Sequence, residues 1–163
     1  MNTMRLFTVL SLVTFFLAGC ATTSSIDVID SSAIDSDFSI GKVTAKNATG
    51  EIFDINIETM LVEAAMAELN ERELFSGKEN DLVLAISIVQ YKKGDAFKRW
   101  LMPGMGKTVL SVEASLSNEA GKTLAQSQAT KSVGAGGGYT IGAWKRVFED
   151  VSEALIADLM SVR

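Results

Sequence analysis

Leu110, Val112, Ala114 and Leu116 alternate with Ser111, Glu113 and Ser115. This period of two puts the apolar set on one face of a strand that is covered on one side and wet on the other. The constraint extends downstream. Asn118-Glu119-Ala120-Gly121 reads as a hairpin turn in which Gly121 supplies the positive φ. The returning strand, Lys122 to Val133, carries Gln126, Gln128 and Thr130 and reads as a sheet edge.

Upstream, Leu82, Leu84, Ile86 and Ile88 alternate with Val83, Ala85, Ser87 and Val89, a pattern that predicts a central strand. Phe38, Ile40, Val43 and Ala45 fit a first strand whose alternation slips at Gly41, as at a β-bulge. Two segments have helical period. Between Asp54 and Phe75, Ile57, Leu61, Ala65 and Leu69 recur every four residues, with Gly77 placed to cap the end. From Thr140 to Ser161, Trp144, Val147, Phe148, Val151, Leu155 and Leu159 share one face, while Lys145/Glu149 and Arg146/Asp150 pair on the other. The predicted fold is an α+β two-layer sandwich: a four-stranded sheet with two helices on one face, in the order β-α-β-β-β-α.

The N-terminus has a different character. Arg5 is the only charged residue before Asp27, and the largely apolar run Leu6 to Leu17 follows it, as in a secretory signal. A permanent span needs about 20 predominantly apolar residues, and this run is shorter and diluted by Thr8, Ser11 and Thr14. Leu17-Ala18-Gly19-Cys20 contains the chain's one cysteine and resembles the lipobox of bacterial lipoproteins. That resemblance implies cleavage after residue 19 and acylation of Cys20, so that the protein is held to the membrane by lipid without spanning it. Ala21, where inner-membrane lipoproteins carry aspartate, implies the outer membrane and a periplasmic-facing domain. The expected organisation is a signal peptide over 1–19, a lipidated N-terminus and flexible tether over 20–36, and a single domain over 37–163.

Composition narrows the chemistry. Removing Arg5 with the signal leaves 14 basic residues against 20 acidic ones, a net charge of −6 that does not suit nucleic acid. The chain has no histidine, the commonest general base and metal ligand. With Cys20 acylated no thiol remains for a disulfide. Three motifs fail on spacing. Pro103-Gly104-Met105-Gly106-Lys107-Thr108 ends like a P-loop, but Leu101 stands where the first glycine is needed and a strand follows. Gly134, Gly136, Gly137 and Gly138 lack the dinucleotide spacing. Asp35-Ser36-Asp37 puts Ile40 and Lys46 where a calcium loop needs glycine and glutamate. No catalytic residue, metal or cofactor is expected, and the chain reads as a non-enzyme.

Tyr91 to Lys107 gathers Lys92, Lys93, Lys98, Arg99 and Lys107 around Phe97, Trp100, Met102 and Met105, with Asp95 the only acid. Two readings fit. Lys98, Arg99, Trp100, Met102 and Met105 form a contact with a partner or membrane, or Trp100 and Leu101 tuck under the sheet while the lysines are merely solvated. The Arg99–Gly106 loop, the following strand, the turn, the glycine-rich stretch and the terminal helix together resemble a bacterial envelope lipoprotein family known only as a domain of unknown function. The domain is also similar in outline to small lipoproteins that assist envelope assembly. The resemblance implies the fold and an envelope location and carries no catalytic residues across. The expected role is a non-catalytic binding or assembly accessory that meets a protein partner or the membrane surface through the 92–107 loop and the neighbouring sheet edge. The competing reading is an enzyme or carrier acting on envelope lipids or glycans, which would need a ligand-sized cavity.

Overall fold

A computed structural model of the chain describes residues 22–30, 34, 37–79, 81–95, 98, 101, 105–133 and 144–161. Seven elements follow one another: β1 (Thr22–Val28), β2 (Ile40–Asn47), α1 (Ile57–Glu71), β3 (Leu82–Lys92), β4 (Thr108–Ser117), β5 (Thr123–Val133) and α2 (Arg146–Met160). The strands form one mixed sheet in the order β1-β5-β4-β3-β2. β2 and β3 are parallel, and every other neighbouring pair is antiparallel. A parallel pair needs a crossover, which α1 supplies.

The predicted four-stranded sheet in the order β-α-β-β-β-α is therefore incorrect: the sheet has five strands, in the order β-β-α-β-β-β-α. The added strand, β1, lies within residues 20–36, the segment expected to be a tether. β1 runs antiparallel to β5, from Thr22 opposite Lys131 to Val28 opposite Ala125. Of its helix-facing positions Ile26 packs against the core, while Thr22 and Ser24 are polar and bond to other polar groups. Ser24 Oγ donates to Asp158 Oδ1 at 3.1 Å, and Ser127 Oγ donates to Asp158 Oδ2 at 2.9 Å. The buried Lys131 donates to Thr22 Oγ1 at 2.8 Å and pairs with Asp150 at 2.9 Å. Two carboxylates of α2 thus fasten the first strand. A buried ammonium needs such partners to offset its desolvation.

β5 is consequently not an edge. Its outward Gln126, Gln128 and Thr130 are polar because the sheet face opposite the helices is open to solvent. On the covered face, Leu84, Ile86, Leu110 and Val112 meet Ile57 and Leu61 of α1 and Val147 and Val151 of α2 in one apolar core. Burial of each such side chain contributes about 1.5–3 kcal/mol. Tyr91 closes one end of that core. Its ring lies 5.1 Å from Phe53, edge-on, and 5.6 Å from Phe148, while its hydroxyl is buried with no hydrogen-bond partner among the described residues. Burial pushes its pKa up to about 12, and the nearby Asp54 charge adds to the effect.

α1 begins where the Asn56 side chain accepts from the Thr59 N–H at 2.8 Å. It stops earlier than the period suggests, and Glu73 rather than Gly77 closes it. Glu73 is left-handed at φ 57, and the N–H groups of Glu73 and Leu74 return to the carbonyls of Asn70 and Leu69 at 3.1 and 2.8 Å, a Schellman closure. The slip at Gly41 is present as a register shift between Ile40 and Lys42. Its cause is close approach: a Cβ on Gly41 would lie 1.8 Å from the Lys78 carbonyl oxygen. The 76–81 loop is held there by Asp81, which accepts from Ser39 Oγ at 2.6 Å and from Ser76 Oγ.

Two outcomes follow from this packing. Gly41→Ala should cost roughly 2–3 kcal/mol in urea unfolding, because the clash is with backbone and the loop must move. Tyr91→Phe should be neutral or stabilising by up to about 1 kcal/mol, since it removes an unpaired buried hydroxyl. Tyr91 is raised in the folded state, so its contribution is complete below pH 10 and is lost as pH rises toward 12. Thermal melts across that window should show a steeper alkaline decline in the parent than in Tyr91→Phe.

Candidate functional site

Strand direction decides which loops meet. The register places the start of β1 (Thr22), the end of β5 (Val133), the start of β4 (Thr108) and the end of β3 (Lys92) at one end of the sheet. β2, parallel to β3, finishes there at Asn47. Both helices start from that end and run the same way, and near their far ends Arg72 Nη1 lies 3.3 Å from Met160 Sδ. The connections between β2 and α1, β3 and β4, and β5 and α2 therefore share one end with the N-terminus of β1. The opposite end holds the β1–β2 and α1–β3 connections and the tight 118–122 turn, where Gly121 has φ 77.

The β3–β4 connection is shaped by backbone and lysine contacts. The Asp95 N–H donates to the Gly106 carbonyl at 3.1 Å, and the Gly94 N–H donates to Thr108 Oγ1 at 3.1 Å. Asp95 Oδ1 accepts from the Lys98 N–H at 3.1 Å. Lys93 Nζ pairs with Asp54 at 2.7 Å and sits 5.7 Å from the Trp144 ring, with Lys145 Nζ 5.8 Å from the same ring. The Lys93 hydrogen bond holds the Asp54 carboxyl below its ordinary range. Lys92, Lys107, Lys145 and Arg146 are exposed and form no ion pair among the described residues.

Of the expected contact residues, Lys98 and Met105 are exposed in this loop, Met105 at 51%. Leu101, read as a possible tuck under the sheet, is 55% exposed. Cys20, Arg99, Trp100 and Met102, together with the glycines of 134–138, lie outside the described residues. Sequence reasoning missed Ile52, which is 100% exposed in the β2–α1 connection at the same end. Its signal was available: an isoleucine just after Gly50, ahead of the first helical repeat.

By sequence, the two ends differ in charge. Residues 48–56, 92–107 and 134–145 hold six basic and three acidic residues, whereas 29–39, 72–81, 118–122 and 161–163 hold four basic and seven acidic ones. A second feature lies on the open sheet face, an open trough of about 490 Å³ lined by Ser25, Asp27, Ser87, Glu113, Gln126 and Gln128. Among the described residues, no cluster of histidine, cysteine, aspartate and glutamate could hold a metal ion, and no helix is long and apolar enough to cross a membrane.

The fold is shared with solved structures of low sequence identity. The PelC dodecamer from Paraburkholderia phytofirmans superposes with a TM-score of 0.59 at 12% identity, covering 86% of this chain and 97% of that one. A DUF330 protein from Xanthomonas campestris superposes with a TM-score of 0.52 at 12% identity, covering 77% and 85%. A minor lipoprotein from Acinetobacter baumannii, at 11% identity over 74% and 93%, reaches 0.37, too low to bear on this chain. No curated protein matches. Residues 21–137 match the family described as "Domain of unknown function (DUF4410)", and the chain belongs to that family.

Proposed function

We propose that this protein is a lipid-anchored envelope lipoprotein, acylated at Cys20, whose domain faces the periplasm from the outer membrane and acts without catalysis as a binding or assembly accessory. The observation that carries the reading is the position of β1. Its first residue follows Cys20 by two positions, so a lipid there would hold the domain at the bilayer with its basic, apolar-tipped end nearest the anchor. The sequence lacks histidine, and its one cysteine is the proposed acylation site. The 92–107 loop is the proposed contact, through Lys98, Arg99, Trp100, Met102 and Met105.

The alternative, an enzyme or carrier acting on envelope lipids or glycans, draws on the trough of hydroxyl and amide side chains between Ser25 and Gln128. Such groups suit a polar ligand more than an acyl chain. Saturable binding of envelope glycan fragments, lost in Gln126→Ala/Gln128→Ala, would favour it.

Cys20→Ser should abolish labelling by radioactive palmitate and move the protein out of the membrane pellet. A variant that still pellets and labels contradicts the anchor. Lys98→Glu/Arg99→Glu should cut in-cell crosslinking severalfold while shifting the melting temperature by less than about 2 °C, as exposed substitutions do. A collapse in melting temperature would instead make the loop structural.

A further inference from the structure

We propose that the end of the domain carrying Ile52, Leu101 and Met105 seats directly on the anionic surface of the bilayer, so that the anchor and these three side chains on two loops fix one orientation of the protein on the membrane. The proposal rests on acylation of Cys20 and adds what the loop end touches and which way the domain points.

Five observations converge. Among the described residues six large apolar side chains are exposed, and three of them, Ile52 in the β2–α1 connection and Leu101 and Met105 in the β3–β4 connection, lie at this one end. They are tips beside lysines, not a groove, and apolar tips among cations match an interface of acyl chains beneath anionic headgroups. Lys92, Lys107 and Lys145 stand exposed there without an acidic partner among the described residues, while Lys93 and Lys98 are matched by Asp54 and Asp95. Charge is divided along the molecule: the basic excess lies at this end and the acidic excess at the other, so an anionic surface attracts one end and repels its opposite.

Both helices begin at this end, so their dipoles add partial positive charge on the same side. Reach completes the case. Two peptide units separate Cys20 from Thr22, so their Cα atoms lie within about 8 Å of each other. An acyl chain on Cys20 therefore keeps this end at the headgroups at high effective concentration. A protein partner would have to compete with a surface that is always present.

The test uses the mature acylated protein in vesicles. With Cys20 acylated the chain has no other thiol, so Ile52→Cys, Leu101→Cys, Met105→Cys and, at the opposite end, Glu119→Cys can each carry an environment-sensitive dye. In vesicles containing brominated phosphatidylglycerol, the first three should shift to the blue and be quenched severalfold more than the fourth. Quenching should persist at low protein-to-lipid ratio. It should fall severalfold in phosphatidylcholine vesicles, or when Lys92, Lys98 and Lys107 are all replaced by Glu, while the anchored fraction stays constant.

Dyes at all four sites that remain in water on anchored protein overturn the proposal. So does burial at Glu119→Cys, burial indifferent to lipid charge, or burial that disappears on dilution in lipid, which would make a second copy of the chain the occupant. Failure of the anchor is separate and visible: the unsubstituted protein would itself take up dye at Cys20.

Discussion

Everything at the candidate end depends on how β1 is held. Its backbone pairs with β5, but a strand at a sheet edge with mostly exposed side chains has little apolar area to secure it. What secures it is a pair of carboxylates on α2. Asp158 takes hydroxyls from both Ser24 and Ser127, and Asp150 neutralises the buried Lys131, which in turn donates to Thr22. The covered sheet face is therefore apolar in its middle and polar along the β1–β5 border. Because these bonds run from helix to sheet, they lock Thr22 and Ser24 to the same rigid body that presents the basic loops.

That polar border also explains what could be read from the residues and what could not. The hairpin at 110–133, the slip at Gly41 and the four-residue repeat of α1 were legible because apolar spacing and turn glycines state them directly. β1 was not, since Thr22 and Ser24 face the helices as hydrogen-bonding groups and break the apolar alternation that marks a strand. β5 reads as an edge for a related reason: Gln126, Gln128 and Thr130 report an open sheet face, and a polar outward face looks the same in sequence whether or not a neighbour lies beside it. The end of α1 was misplaced because a glutamate, Glu73, adopts the left-handed conformation that glycine usually takes.

The candidate site was legible in part. The cationic, thioether-rich composition of 92–107 is visible in the residues, and so is the isolation of Cys20 as the chain's one thiol. That Thr22 and Lys98 share one end of the sheet is not, because it follows only from the direction of β1 against β5, β5 against β4, and β4 against β3. Ile52 joins them through the parallel pairing of β2 with β3, which obliges the chain to leave β2 at the same end. One crossover thus determines that three loops, rather than two, share a surface.

The pairing of β1 has a kinetic side. Thr22 and Lys131 are 109 residues apart, so among the described residues the first strand closes the sheet against the last. Contacts of such long range form late and slowly, since loop closure entropy is spent before they repay it. Until β5 and α2 are in place, β1 has no neighbour in the sheet to pair with. Once the Asp150 and Asp158 bonds form, β1 is released again only if contacts to β5 and to α2 are broken together.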